Sequence, residues 1–136
     1  MAKTRAFEIA ELIRHFKYDE DNDKIVTEKR TEDKNKKRGS ATRTATTEFN
    51  LDTFAHADFR AARYIVAMTR GSDFHSTEVM LVHDGSTVTM TQYGTLKDAN
   101  LATIDADISG SNVRLLVTPA SATSTTIKFD RTLVEA

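Results

Sequence analysis

Two alternating apolar runs meet at Asp84-Gly85, inside the stretch STEVMLVHDGSTVTMTQYGT at residues 76–95. An Asp-Gly pair between such runs is a strong hairpin signal, because both central positions of the favoured turn need φ > 0. The feature commits this part of the chain to antiparallel β structure, and the pattern around it extends the commitment. RAARYIVAMTR (60–70), FHSTEVMLVHD (74–84), STVTMTQY (86–93), LATIDADI (101–108), NVRLLVT (112–118) and STTIKFDRTLV (124–134) all read as strands. A threonine-rich run from Ala41 to Phe49 can pair as a first strand. Small turns rich in Gly, Ser, Asn, Asp and Pro separate them. Six to seven short strands with brief connections predict a mainly β chain, an antiparallel sandwich or barrel, with the β-sandwich as the leading architecture.

Alternation then selects the inward faces. On the strand at 60–70 the core takes either Ile65 or the set Tyr64, Val66 and Met68. The other expected core positions are Val79, Leu81, Val88, Met90, Ile104, Val113, Leu115, Val117, Ile127, Phe129 and Leu133. Thr87, Thr89 and Thr91 are expected on the opposite, solvent face, a β-branched surface that can serve as a contact.

Ahead of the β module lie two segments of different character. From Thr4 to about Lys17, Ile9, Leu12, Ile13 and Phe16 recur at helical spacing, predicting a short amphipathic N-terminal helix. A helix this short is marginal alone, so its stripe needs a partner, either this chain's own β domain or another subunit. Residues 19–40 are highly charged and lack the apolar surface to offset ordering entropy, which predicts an extended arm. The expected organisation is thus residues 1–40 as helix and arm, and 41–136 as the β module. Lys29 to Arg38 holds six basic against two acidic residues. Lys34, Lys36, Lys37 and Arg38, together with the helix stripe, are the candidate partner-docking residues.

Several functions are disfavoured at once. The length of 136 residues is one domain's worth. Without cysteine there are no disulfides and no thiolate chemistry. No apolar run approaches the ~20 residues of a membrane span, and charges at Glu8, Glu11 and Arg14 interrupt any secretory signal. The chain is expected to be soluble, made in a cytoplasm and retained whole. Its net charge of −1 lacks the one-sided basic excess of a nucleic-acid binder, and residues 19–48 offer no aromatic ring for base stacking. Asp19, Asp21 and Asp23 imitate a calcium loop, but Lys24 and Arg30 stand where glycine and a bidentate glutamate are required.

Catalytic chemistry is thin. His83-Asp84 could pair a base with a carboxylate, yet Asp84 belongs to the turn. His75 and His83 could lie near each other, without a third metal ligand at a recognisable spacing. Asp105 and Asp107 share one face of a strand, where neighbours usually meet solvent. The five glycines are spread singly, leaving no phosphate loop. A carbohydrate-binding module would present an aromatic platform, whereas this chain has no Trp and only Tyr18, Tyr64 and Tyr93. No enzyme activity, cofactor or metal is expected.

The run FRAARYIVAMTRGSDFHSTEVMLVHDGSTVTMTQYGTL, followed by DADISGSNVRLLVTPASATSTTIKFDRTLV, resembles a β module of virion structural proteins of tailed bacteriophages, notably marine cyanophage-like ones. The likeness spans about residues 59–134 and transfers no catalytic residue. It implies a non-enzymatic virion component present in many copies. The leading expectation is a capsid decoration or knob protein that docks on the major capsid protein through its N-terminal arm. The alternative is a tail-associated adaptor or fibre-type module that contacts other tail proteins or host glycans.

Overall fold

The computed structural model describes residues 35–136, and the expected helix at 4–17, with Ile9, Leu12, Ile13 and Phe16, and Lys34 lie outside them. The described residues form eight strands: β1 (Lys36–Arg43), β2 (Phe49–Ala55), β3 (Phe59–Arg70), β4 (Asp73–His83), β5 (Val88–Lys97), β6 (Ala102–Ser109), β7 (Asn112–Pro119) and β8 (Thr125–Glu135). Two antiparallel sheets result, a five-stranded one ordered β1-β8-β3-β4-β5 and a three-stranded one ordered β2-β7-β6. Both contribute to a single core, which joins Tyr64, Val66, Met68, Val79, Ile127 and Phe129 of the larger sheet to Phe54, Ile104, Val113, Leu115 and Val117 of the smaller.

Strand alternation decides the core largely as the sequence predicts, although Val88 and Met90, expected inside it, are only half-buried against it. Tyr64, Val66 and Met68 are buried and Ile65 is 44 % exposed, which settles the choice of face on β3. Thr89 and Thr91 face outward, as expected. Two-residue loops, Gly71-Ser72 and Gly110-Ser111, close β3–β4 and β6–β7. Each begins with a glycine at φ near +60° (62° and 61°), the backbone such loops require.

Four expectations need correction. The described residues hold eight strands, because the 41–49 reading merged the end of β1 with the start of β2 and missed FNLDTFA as a strand. The segment Lys36–Ser40, assigned from sequence to the arm, forms the first part of β1 and pairs with β8 from Lys36↔Thr132 onward. The β4–β5 connection is a four-residue loop, since His83 pairs with Val88. Asp84 shapes that loop with its side chain: its carboxylate accepts the N–H groups of Ser86 (2.9 Å) and Thr87 (2.8 Å) and the Thr87 hydroxyl. These bonds hold the Asp84 carboxyl below its ordinary pKa, the Thr87 N–H first. Thr87 therefore belongs to the turn and not to the β5 face.

Two local devices fit the sheets together. β2 carries a bulge between Asn50 and Asp52, so Leu51 is the extra residue against β7. A bulge reverses the parity of a strand. Phe49 before it and Asp52 and Phe54 after it consequently all lie on the core-facing side, opposite Val117, Leu115 and Val113. On β1, a Cβ added at Gly39 would lie 2.3 Å from the Phe129 ring, so only glycine lets that buried ring lie under the edge strand.

Candidate functional sites

Asp52 is the polar centre of the core. It is 4 % exposed and sits on β2, yet all its charged and hydroxyl partners come from the other sheet. Tyr64 donates its hydroxyl to Oδ2 at 2.8 Å, Arg131 donates Nη1 to Oδ2 at 2.9 Å, and Lys37 donates Nζ to Oδ1 at 2.8 Å. One carboxylate thus ties β2 to β3, β8 and β1. Burial, and after it the Asp52 charge, push the Tyr64 hydroxyl far above the usual tyrosine range, so it stays a donor. Every member of this cluster is engaged with another, which makes it a structural tie with no free nucleophile or base. Sequence reasoning missed it, because Asp52 reaches the core only through the bulge.

The predicted chemical residues fall into similar structural roles. His83 is buried; its Nδ1 accepts the Gly85 N–H at 3.0 Å, which leaves Nε2–H to donate to the Phe59 carbonyl at 2.7 Å. His75 and His83 occupy opposite ends of β4, eight residues and therefore about 26 Å apart, so they do not meet. Asp107 forms a bidentate pair with Arg114, at 2.8 and 2.6 Å, and that hydrogen bonding lowers its pKa. Asp105 accepts the N–H of Ala106 at 2.8 Å. Among the described residues no cluster of His, Asp or Glu could hold a metal ion, and no helix is long and apolar enough to cross a membrane.

The basic docking candidates are partly engaged as well. Lys37 turns inward to Asp52, and Arg38 lies 3.6 Å from Asp130 on the outer face of the larger sheet. Lys36 is exposed at the start of β1.

The outer face of the five-stranded sheet carries the most distinctive free surface. Registers place Val134, Ala61, Val82 and Thr89 in one row across β8, β3, β4 and β5. The next row holds Thr132, Arg63, Met80 and Thr91, and the third Asp130, Ile65, Glu78 and Tyr93. Val134 is 59 % exposed, Met80 47 % and Val82 44 %. Around Ala61, Met80, Val82, Thr89 and Thr91 lies a shallow groove of about 270 Å³ with no charged residue in its lining. Arg63 and Glu78, paired at 3.3 Å, border the patch.

No protein-family model and no curated protein matches the chain. Among solved structures it is similar to the tailspike protein of Acinetobacter baumannii phage AM24 (TM-score 0.43, 12 % identity, 75 % of this chain and 26 % of that one). It is similar also to the tailspike protein of Acinetobacter phage vB_ApiP_P1 (TM-score 0.41, 13 % identity, 85 % of this chain and 25 % of that one). A third is a tailspike of Acinetobacter baumannii bacteriophage Fri1, a capsular polysaccharide depolymerase (TM-score 0.31, 16 % identity, 74 % and 20 %). The chain spans about a quarter or less of each tailspike. Superposition at this level does not establish a common domain.

Proposed function

We propose that the chain is a non-enzymatic structural module of a tailed-phage virion, associated with the tail, which binds a neighbouring tail protein through the outer face of its five-stranded sheet. The observation that carries this reading is the uncharged patch of Ala61, Met80, Val82, Thr89, Thr91 and Val134. Large apolar side chains side by side on a flat sheet face lose water favourably when covered, at about 25 cal/mol per Å². The sequence resemblance of residues 59–134 to virion β modules supplies the context. The capsid-decoration reading assigns docking to the N-terminal helix and arm, whereas Lys36–Ser40 belong to β1 and Lys37 turns inward to Asp52, and the exposed sheet face supports the tail-associated reading. The engagement of His83, Asp84, Asp107 and Asp52 in structural bonds supports a role without catalysis.

The test is position and copy number. Density mapping of purified virions should find the chain at the tail in a handful to dozens of copies; hundreds on the shell would sink the proposal. A Met80→Lys/Val82→Lys variant, altering exposed positions only, should fold and fail to enter particles. Binding of this variant at the wild-type level would shift the contact elsewhere, and glycan-array binding would replace the protein partner with a host glycan.

A further inference from the structure

A second site stands on the opposite face of the larger sheet, where the end of β5 approaches the start of β6. A cleft of about 660 Å³ is lined there by His75, Gln92, Thr95, Lys97, Asn100 and Thr103, with Ala102 and Ile104 behind them. Its lining contains one permanent charge, the Lys97 ammonium, and no carboxylate. Lys97 forms no ion pair among the described residues. Asp98, adjacent in sequence, is engaged elsewhere, accepting the Phe74 N–H at 2.8 Å.

His75 supplies the unusual element. Its side chain lies on the core-facing side of β4 with 2 % exposure, and Nδ1 accepts the Leu101 N–H at 3.2 Å. A neutral imidazole that accepts at Nδ1 carries its proton on Nε2. That Nε2–H is buried and has no acceptor among the described residues. Buried donors are nearly always paired, and one left unpaired costs about 1–3 kcal/mol. A donor without an acceptor, an ammonium without a counter-ion, and amide and hydroxyl groups with no carboxylate among them share one preference. All are satisfied by oxygen atoms that bear negative charge.

We propose that this cleft is an oxyanion site, in which the Lys97 ammonium and the His75 Nε2–H hold a carboxylate or phosphate group. Gln92, Thr95, Lys97 and Asn100 are exposed, so an incoming anion meets Lys97 first and reaches the covered ring nitrogen as these side chains part. The site lies on the inner side of β4 and does not depend on the outer-face reading of function.

The experiment follows the His75 ring nitrogens by NMR in the full-length protein. Inorganic phosphate and acetate are titrated in separate arms against chloride at matched ionic strength. The expected result is a saturable shift of Nε2 and a rise in the His75 titration midpoint, because a bound anion favours the imidazolium. Response to phosphate alone assigns a phosphate-bearing ligand, and response to acetate a carboxylate-bearing one. Lys97→Met, at an exposed position, should weaken the response by about tenfold or more, while Met80→Lys leaves it intact. Absence of saturation in both arms, or an unchanged response in Lys97→Met, overturns the proposal.

Discussion

Replacing Asp52 by alanine tests the architecture most directly. The substitution strands three donors at once. The Tyr64 hydroxyl is fully buried and loses its acceptor, and Arg131, 9 % exposed, keeps its charge with no counter-ion at 2.9 Å. Arg131 has little slack, since its Nε already lacks a partner among the described residues. Removing one member of a buried ion pair typically costs about 3–5 kcal/mol, because the surviving charge stays desolvated. A small domain has only about 5–15 kcal/mol in total. At roughly 4–8 °C per kcal/mol, Asp52→Ala should lower Tm by at least ~12 °C, read by circular dichroism. Lys37→Met is the control. Its side chain is 48 % exposed, so its bond to the same carboxylate is screened and its removal should cost no more than about 1 kcal/mol. A loss below about 1 kcal/mol for Asp52→Ala, or equal losses for the two variants, would refute the account of Asp52 as the tie between sheets.

Three further outcomes are expected. Gly39→Ala should destabilise by about 1–3 kcal/mol in urea titration through overpacking against Phe129; a neutral effect would mean the ring moves freely. Burial first, and the Lys97 charge second, lower the His75 pKa from 6.5. The unfolded chain therefore binds this proton more readily, so stability should fall as pH drops below 6.5 and level off once the folded-state value is passed, a slope that His75→Phe should flatten in denaturant titrations across pH. Asp107→Ala removes a half-exposed cross-strand pair and should cost only about 0.2–1 kcal/mol by thermal melt; a larger loss would give Arg114 a role the geometry does not show.

The parts of the fold legible in the sequence are those in which alternation runs unbroken. On β3, Tyr64, Val66 and Met68 stand out because each is separated by an outward residue, and β8 repeats the pattern; β7 keeps Val113, Leu115 and Val117 inward but buries Leu116 as well. β2 resisted reading for a definite reason: Leu51 interrupts the period of two, and an aspartate falls where a core residue is expected. β1 was hidden by composition. KKRGSATR has the charge of a solvated arm, and only its partner β8, far along the chain, makes a strand of it. The candidate surface was half visible. Thr89 and Thr91 were expected outside, but Met80 and Val82 sit on the exposed parity of β4, where apolar residues carry no local mark of their exposure. The His75 cleft depends on β4 meeting the end of β5 and the β5–β6 connection, which bring Lys97, Asn100 and Leu101 to His75, and sequence spacing does not encode that meeting.

The position of β8 has a consequence for how such a chain is made. It is the last of the eight strands to leave the ribosome, yet it lies between β1 and β3 and is hydrogen-bonded to both. Until about residue 135 has emerged, the first strand has no neighbour in its sheet and β3 presents a bare margin. At roughly 5–20 residues per second, this leaves several seconds in which half of the larger sheet cannot close. Folding must therefore be completed after synthesis of the module and rely on contacts distant in sequence, which is intrinsically slow. A product cut short before β8 would leave β1 without its strand partner and β3 with an open edge.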